Sequence, residues 1–258
     1  MTSREPEGTT VAVLLKKLRL PSFLASYGEM ATKAEKGGWT FPRYLQSLAE
    51  LEIGDRERRR IERNLRQSCL PRDKTLATLV ESDLPRKVRT QIPSLCQGGF
   101  VDRAENLLVF GLPGRGKTHL CSAIGHELVQ RGYKVLFQPT FLLVQRLLVA
   151  KKELTLERAL RRLDSYQVVL LDDLGYVQQD REEMEILFTF LAERYERRSV
   201  MITSNLVFSE WDKIFKDPMT TAAAIDRLVH HATILELTGE SYRAKSAKQK
   251  NRKGGKGN

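Results

Sequence analysis

Acidic residues are in short supply: 32 Asp and Glu stand against 43 Lys and Arg, a net charge of +11 over 258 residues. A surplus of that size favours a polyanionic partner, nucleic acid before anionic lipid, with plain solubility as the other account. Cysteine is scarce as well. Cys69, Cys96 and Cys121 are odd in number and lack metal-ligand spacing, which argues against a disulfide frame or a zinc site and for reduced thiols. No apolar run approaches the length needed to cross a bilayer, so no membrane partner is expected. Met1-Thr2-Ser3-Arg4-Glu5 lacks the apolar core of a signal peptide, and the expected location is cytoplasmic. No internal repeat is visible.

What is present is an ordinary globular composition, 41% hydrophobic and 29% charged, enough for one good-sized domain and a smaller appendage. Residues 1–68 read as a helical N-terminal domain. Val11, Leu14, Leu15 and Leu18 fall at helical spacing, Pro21 can open a second helix, and Pro42 a third that carries Tyr44, Leu45, Leu48 and Leu51. The third helix runs on into residues 56–66, where six of eleven are arginine. These arginines form either a solvated face laced with Arg–Glu pairs or a phosphate-contacting helix. Residues 69–100, with Pro71, Pro85, Pro93 and Gly98-Gly99, read as a linker with short helical turns. Residues 101–240 then alternate short apolar strands with amphipathic helices. Strands are expected at 107–110, 134–137, 168–171, 200–203 and 233–237, a five-stranded parallel sheet covered on both faces. Thr140 and the Asp180/Glu183 pair are expected to cap helices within it. Residues 241–258 hold seven Lys or Arg and no acid, and are expected to be a disordered basic tail, either phosphate-seeking or passive.

The chemistry concentrates in Gly111-Leu112-Pro113-Gly114-Arg115-Gly116-Lys117-Thr118, a Gly-x-x-x-x-Gly-Lys-Thr loop between a strand and a helix. Glycines let the backbone wrap a phosphate closely, and the helix N-terminus adds partial positive charge. Lys117 is expected on the β- and γ-phosphates of ATP and Thr118 on Mg²⁺; His119, next in line, is counted with the nucleotide-binding residues. Val168-Val169-Leu170-Leu171-Asp172-Asp173 is an apolar strand ending in two acids, where parallel sheets bind ligands. Asp172 is expected to hold Mg²⁺ and Asp173 to polarise the attacking water. Asn205, after the next strand, can meet the γ-phosphate or that water, or simply form a turn. Arg227 lies on the helix before the last strand; either it serves a neighbouring subunit's γ-phosphate or it makes a surface salt bridge.

These residues carry a resemblance. Gly-Lys-Thr-His-Leu (116–120), Leu-Asp-Asp-Leu-Gly-Tyr (171–176), Thr-Ser-Asn-Leu (203–206), Phe-Ser-Glu-Trp (208–211), Ala-Ile-Asp-Arg-Leu-Val-His-His (224–231) and Gly-Glu-Ser-Tyr-Arg (239–243) resemble the AAA+ initiator clade of DnaA and DnaC. With Arg-Leu-Pro-Ser-Phe-Leu-Ala-Ser-Tyr (19–27) and Tyr-Leu-Gln-Ser-Leu (44–48), the chain is most similar to the IstB-type transposition helper ATPases of bacterial insertion sequences. The resemblance implies a three-layer AAA+ P-loop core with an all-α N-terminal domain for self-association and partner contact. It further implies a homo-oligomer that assembles on double-stranded DNA with low sequence specificity, hydrolyses ATP and presents the target to a partner transposase. Asp173 stands where many relatives have Glu, which implies slow hydrolysis. No room is expected for a C-terminal helical lid, leaving Arg243 as a weak stand-in for the lid's sensing arginine. A DnaC-like helicase loader is the alternative; a small-molecule kinase or a non-hydrolysing, nucleotide-gated scaffold are further readings.

Overall fold

In the computed structural model residues 7–176, 181–206, 210 and 218–238 are described, and their contacts divide the chain between Arg63 and Asn64 into two units. The first unit is helical, with α1 (Glu7–Lys17), α2 (Pro21–Lys36) and most of α3 (Phe41–Gln67). Pro21 sits in the first turn of α2, where its missing N–H costs nothing. The next N–H, of Ser22, is donated to the buried Glu52 carboxylate of α3 at 2.8 Å, and the Ser22 hydroxyl to Asp55 at 2.8 Å. Two acids of α3 thus cap the start of α2. They also settle part of the arginine run. Arg56 and Arg59 pair with Glu52, and Arg58 with Asp55, so these three serve the helix itself. Arg60, Arg63 and Arg66 have no ion pair among the described residues.

The second unit begins with short pieces rather than an extended connection. Two 3₁₀ turns (Leu76–Thr78 and Glu81–Asp83) precede α4 (Arg86–Arg89), α5 (Ile92–Gln97) and α6 (Gly99–Asp102). Leu70, Leu84, Val88, Ile92, Leu95 and Phe100 are buried there. Five parallel strands follow: β1 (Asn106–Phe110), β2 (Val135–Pro139), β3 (Val168–Asp172), β4 (Ser199–Ser204) and β5 (Ala232–Glu236), in the order β2-β3-β4-β1-β5. The fold is therefore an α/β P-loop sheet, with α7 (Lys117–Gln130), α8 (Thr140–Lys152), α9 (Leu156–Asp164), α10 (Arg181–Arg194) and α11 (Pro218–Val229) around it. β1 and β4 are buried at every position, as apolar strands covered on both faces should be.

Strand order matters for function. β4 lies between β1 and β3, with Phe110 level with Ser204, so the loop after β4 emerges between the phosphate loop and the β3 acids. Thr140 departs from its expected role: Pro139 holds the cap position of α8, and the Thr140 hydroxyl is donated to the Asp172 carbonyl at 2.8 Å. β-strand pairing brings Pro139 level with Asp172, which is why that hydroxyl finds a strand carbonyl instead of its own helix. Asp180, the 208–209 and 211 part of the Phe-Ser-Glu-Trp stretch, the 239–243 motif with Arg243, and the 241–258 tail lie outside the described residues. No described helix is long and apolar enough to cross a membrane.

Candidate nucleotide-binding site

The phosphate loop is shaped by its glycines. Gly111, Gly114 and Gly116 all have positive φ (152°, 79° and 84°), and Gly116 is the cap residue of α7. At Gly111 space is also limiting: a side chain would meet the Leu237 carbonyl at 2.6 Å. At Gly116 space is open and only the backbone conformation demands glycine. Lys117 is buried and donates to the loop's own carbonyls, Gly111 at 2.6 Å and Leu112 at 3.2 Å. The ammonium is therefore held over the cradle at the positive end of α7, where anionic oxygens compete well for it.

A cavity of about 380 Å³ opens beside this loop. Pro113 to His119, Asp173 and Asn205 line one side, and Lys74, Thr78, Leu79, Val80, Asp83 and Leu84 the other. The phosphate loop, Asp173 and Asn205 are thus brought together at one cavity. Asp172 stands just behind, tied by Thr203, a fully buried residue of β4. The Thr203 hydroxyl donates to Asp172 Oδ1 at 2.6 Å and accepts the Asp173 N–H at 2.9 Å. This double contact fixes the carboxylate and holds Asp173 at φ 57°, a left-handed conformation that turns the chain sharply out of β3. Thr118 and Asp172 make an oxygen-only donor set, which fits the hard cation Mg²⁺.

Asn205 lines the cavity with its Oδ1 buried and without a hydrogen-bond partner, an acceptor waiting for a donor. Its approach depends on Gly175, where any side chain would collide with that oxygen. Arg115 likewise has Nε and Nη1 buried without partners at the phosphate end. Arg227 is not brought to the cavity. Its guanidinium lies over the Phe188 ring of α10 at 4.6 Å with Nη1 buried and unpartnered, and it makes no ion pair among the described residues.

His119 and His126 lie seven residues apart on one face of α7 and face the second wall. His119 Nε2 is 3.1 Å from both the Thr75 carbonyl and the Thr78 hydroxyl, which itself donates to the Asp73 carbonyl, and His126 Nε2 is 2.9 Å from the Pro71 carbonyl. A carbonyl only accepts, so each ring carries its proton on Nε2. Sequence reasoning missed this second wall: His119 is counted there with the phosphate-loop residues, and the seven-residue spacing to His126 was the only signal.

A glycine cradle between strand and helix, backed by a strand-end acid, defines the class: a P-loop nucleotide-binding domain. The chain belongs to the IstB-like ATP binding protein family, whose pattern matches residues 13–250. It is 44% identical over 247 residues to the insertion sequence ATP-binding protein y4iQ/y4nD/y4sD of Sinorhizobium fredii, covering 95% of this chain and 83% of that one. The insertion sequence IS21 ATP-binding protein of Pseudomonas aeruginosa is 37% identical over 237 residues, covering 92% and 89%. Among solved structures the fold resembles AMPPCP-bound DnaA from Aquifex aeolicus (TM-score 0.56, 19% identity, 72% of this chain and 56% of that one). It also resembles the DnaC helicase loader (TM-score 0.55, 18% identity, 65% and 98%).

Proposed function

We propose that this protein is an ATP-dependent transposition helper that self-associates on duplex DNA with little sequence preference, hydrolyses ATP slowly and presents the DNA to a partner transposase. The observation that carries the reading is the cavity in which the Lys117 loop, Asp173 and Asn205 converge, in a chain 44% identical to an insertion-sequence ATP-binding protein. The loop N–H groups and Lys117 bind the phosphates. Thr118 and Asp172 would hold Mg²⁺, which when bound would offset the charge of the β- and γ-phosphates. Asp173 takes the role of polarising water, with Asn205 Oδ1 accepting a hydrogen bond from it; an aspartate reaches less far than a glutamate, in keeping with slow turnover. Arg227 acts on a neighbouring subunit's γ-phosphate. Arg60, Arg63 and Arg66 suit phosphate contact, since no acid among the described residues neutralises them. Residues 1–68 serve self-association and partner contact, 69–100 join them to the ATPase domain at 101–240, and the basic 241–258 segment adds salt-dependent DNA attraction. The helicase-loader reading rests on a shared fold at 18% identity, which does not carry function.

The test is ATP-dependent assembly on duplex DNA of arbitrary sequence. Lys117→Ala should lose ATP binding and assembly together. Assembly by the variant equal to that of the wild type would overturn the mechanism.

A further inference from the structure

The wall of the cavity opposite the phosphate loop is built from a segment with almost no regular structure, yet it is anchored at three points to α7. Leu70 packs on Gly125, where an added side chain would meet Leu70 Cδ2 at 3.0 Å. One residue on, the Pro71 carbonyl accepts the His126 Nε2–H at 2.9 Å. Four residues further, the Thr75 carbonyl accepts the His119 Nε2–H at 3.1 Å. The anchors at 70 and 71 meet the middle of α7 and the anchor at 75 meets its first turn, so the segment runs antiparallel to the helix. The Thr75–Thr78 pair then closes the turn locally, with the Thr75 N–H donated to Thr78 Oγ1 at 3.0 Å. What this turn delivers to the cavity is Leu79, Val80 and the buried Leu84, an apolar surface flanked by Lys74 and Asp83.

We infer that His119 and His126 are positioning residues that set the base-side wall of the nucleotide site, with Leu79, Val80 and Leu84 packing on the planar base. The inference rests on the nucleotide reading above. Its physical content is that one rigid helix references both ends of the ligand. The N-terminus of α7 holds the phosphates, and two imidazoles on its flank hold the carbonyls of the segment that meets the base. The distance between phosphate cradle and base wall is thus set by helix geometry, because the segment's own hydrogen bonds run within its short turns and do not reach the cradle. Imidazole suits this role because each side chain reaches sideways from the helix with one N–H donor. The Pro71 and Thr75 carbonyls are acceptors that no side-chain substitution can remove, and the Thr78 hydroxyl adds a side-chain contact to His119 Nε2 at 3.1 Å.

The test separates base from phosphate. Calorimetry on the full chain should show His119→Ala/His126→Ala binding ADP about tenfold more weakly, while inorganic tripolyphosphate binds within about twofold of wild type. His119→Gln, whose amide can supply the same donor, should recover most of the ADP affinity relative to His119→Ala. Unchanged ADP affinity in the double variant, or an equal loss for ADP and tripolyphosphate, would overturn the inference. Should the double variant fail to fold, hydrogen exchange on the wild type decides: amides at 74–84 gain protection with ADP and not with tripolyphosphate, and protection by both or by neither refutes it. A wild type that binds tripolyphosphate but not ADP would sink the base wall alone. A wild type that binds neither would sink the nucleotide reading itself.

Discussion

Thr203→Val isolates the contact on which the β3 acids depend. Valine keeps the shape of threonine and the strand preference, so β4 should survive while the hydroxyl is lost. Thr203 is fully buried, and its oxygen serves two groups, Asp172 Oδ1 at 2.6 Å and the Asp173 N–H at 2.9 Å. A hydrogen bond to a charged carboxylate contributes about 1.5–3 kcal/mol, and an orphaned buried N–H costs about 1–3 kcal/mol. Asp172 is half-buried and Asp173 exposed, so water recovers part of both terms, and a net loss of about 2–3 kcal/mol is expected. For a domain of this size that corresponds to a fall in Tm of about 4–12 °C, readable by calorimetry or by denaturant titration. The carboxylate also loses its orientation. Misorienting a metal-facing group through its supporting partner costs about 10–100-fold in metal affinity, so the benefit of added Mg²⁺ to ATP binding should shrink by at least about tenfold. ADP binding without metal should be nearly unchanged. Thr203→Ser, which keeps the hydroxyl, should retain the Mg²⁺ benefit. A valine variant within about 0.5 kcal/mol of wild type and with a normal Mg²⁺ response would refute the assignment of Thr203 as the organiser of Asp172.

Arg227→Ala should leave ATP binding nearly intact and lower turnover by about 10³-fold or more if its guanidinium leaves Phe188 to meet a neighbour's phosphate. Mixing that variant with Lys117→Ala should restore part of the activity; no recovery on mixing would confine Arg227 to its own subunit. Thiol titration at neutral pH should find one fast-reacting cysteine, the exposed Cys69. Burial pushes the Cys96 thiol up to about 11 and Cys121 well above its ordinary value, so both should react only on unfolding, and two fast thiols would contradict the packing around α5 or α7.

The parts of this site that were legible in the sequence are those that work through side-chain identity or through glycine. The Gly-x-x-x-x-Gly-Lys-Thr loop could be read because a tight cradle tolerates few residues, and the acids after Leu171 because an apolar strand seldom ends in two carboxylates by accident. The five strands were readable for the same reason: a strand buried on both faces has to be continuously apolar. The base-side wall left no such trace. It spans part of 69–100, whose prolines and glycines read as a linker, and two of its contacts to α7 are made by the Pro71 and Thr75 carbonyls, which every residue type carries equally. Gly175 was quoted only as part of a motif, since the reason for it lies in Asn205, thirty positions away in sequence and adjacent only after β3 and β4 pair. Arg227 shows the converse. Its type suggested a finger, but its resting place over Phe188 depends on how α11 packs on α10, which no local pattern encodes. A polar group buried without a partner is costly to keep. Asn205 Oδ1, Arg115 and Arg227 each carry such a group, and at Asn205 and Arg115, which line the cavity, a nucleotide bound as proposed would offer the missing partners.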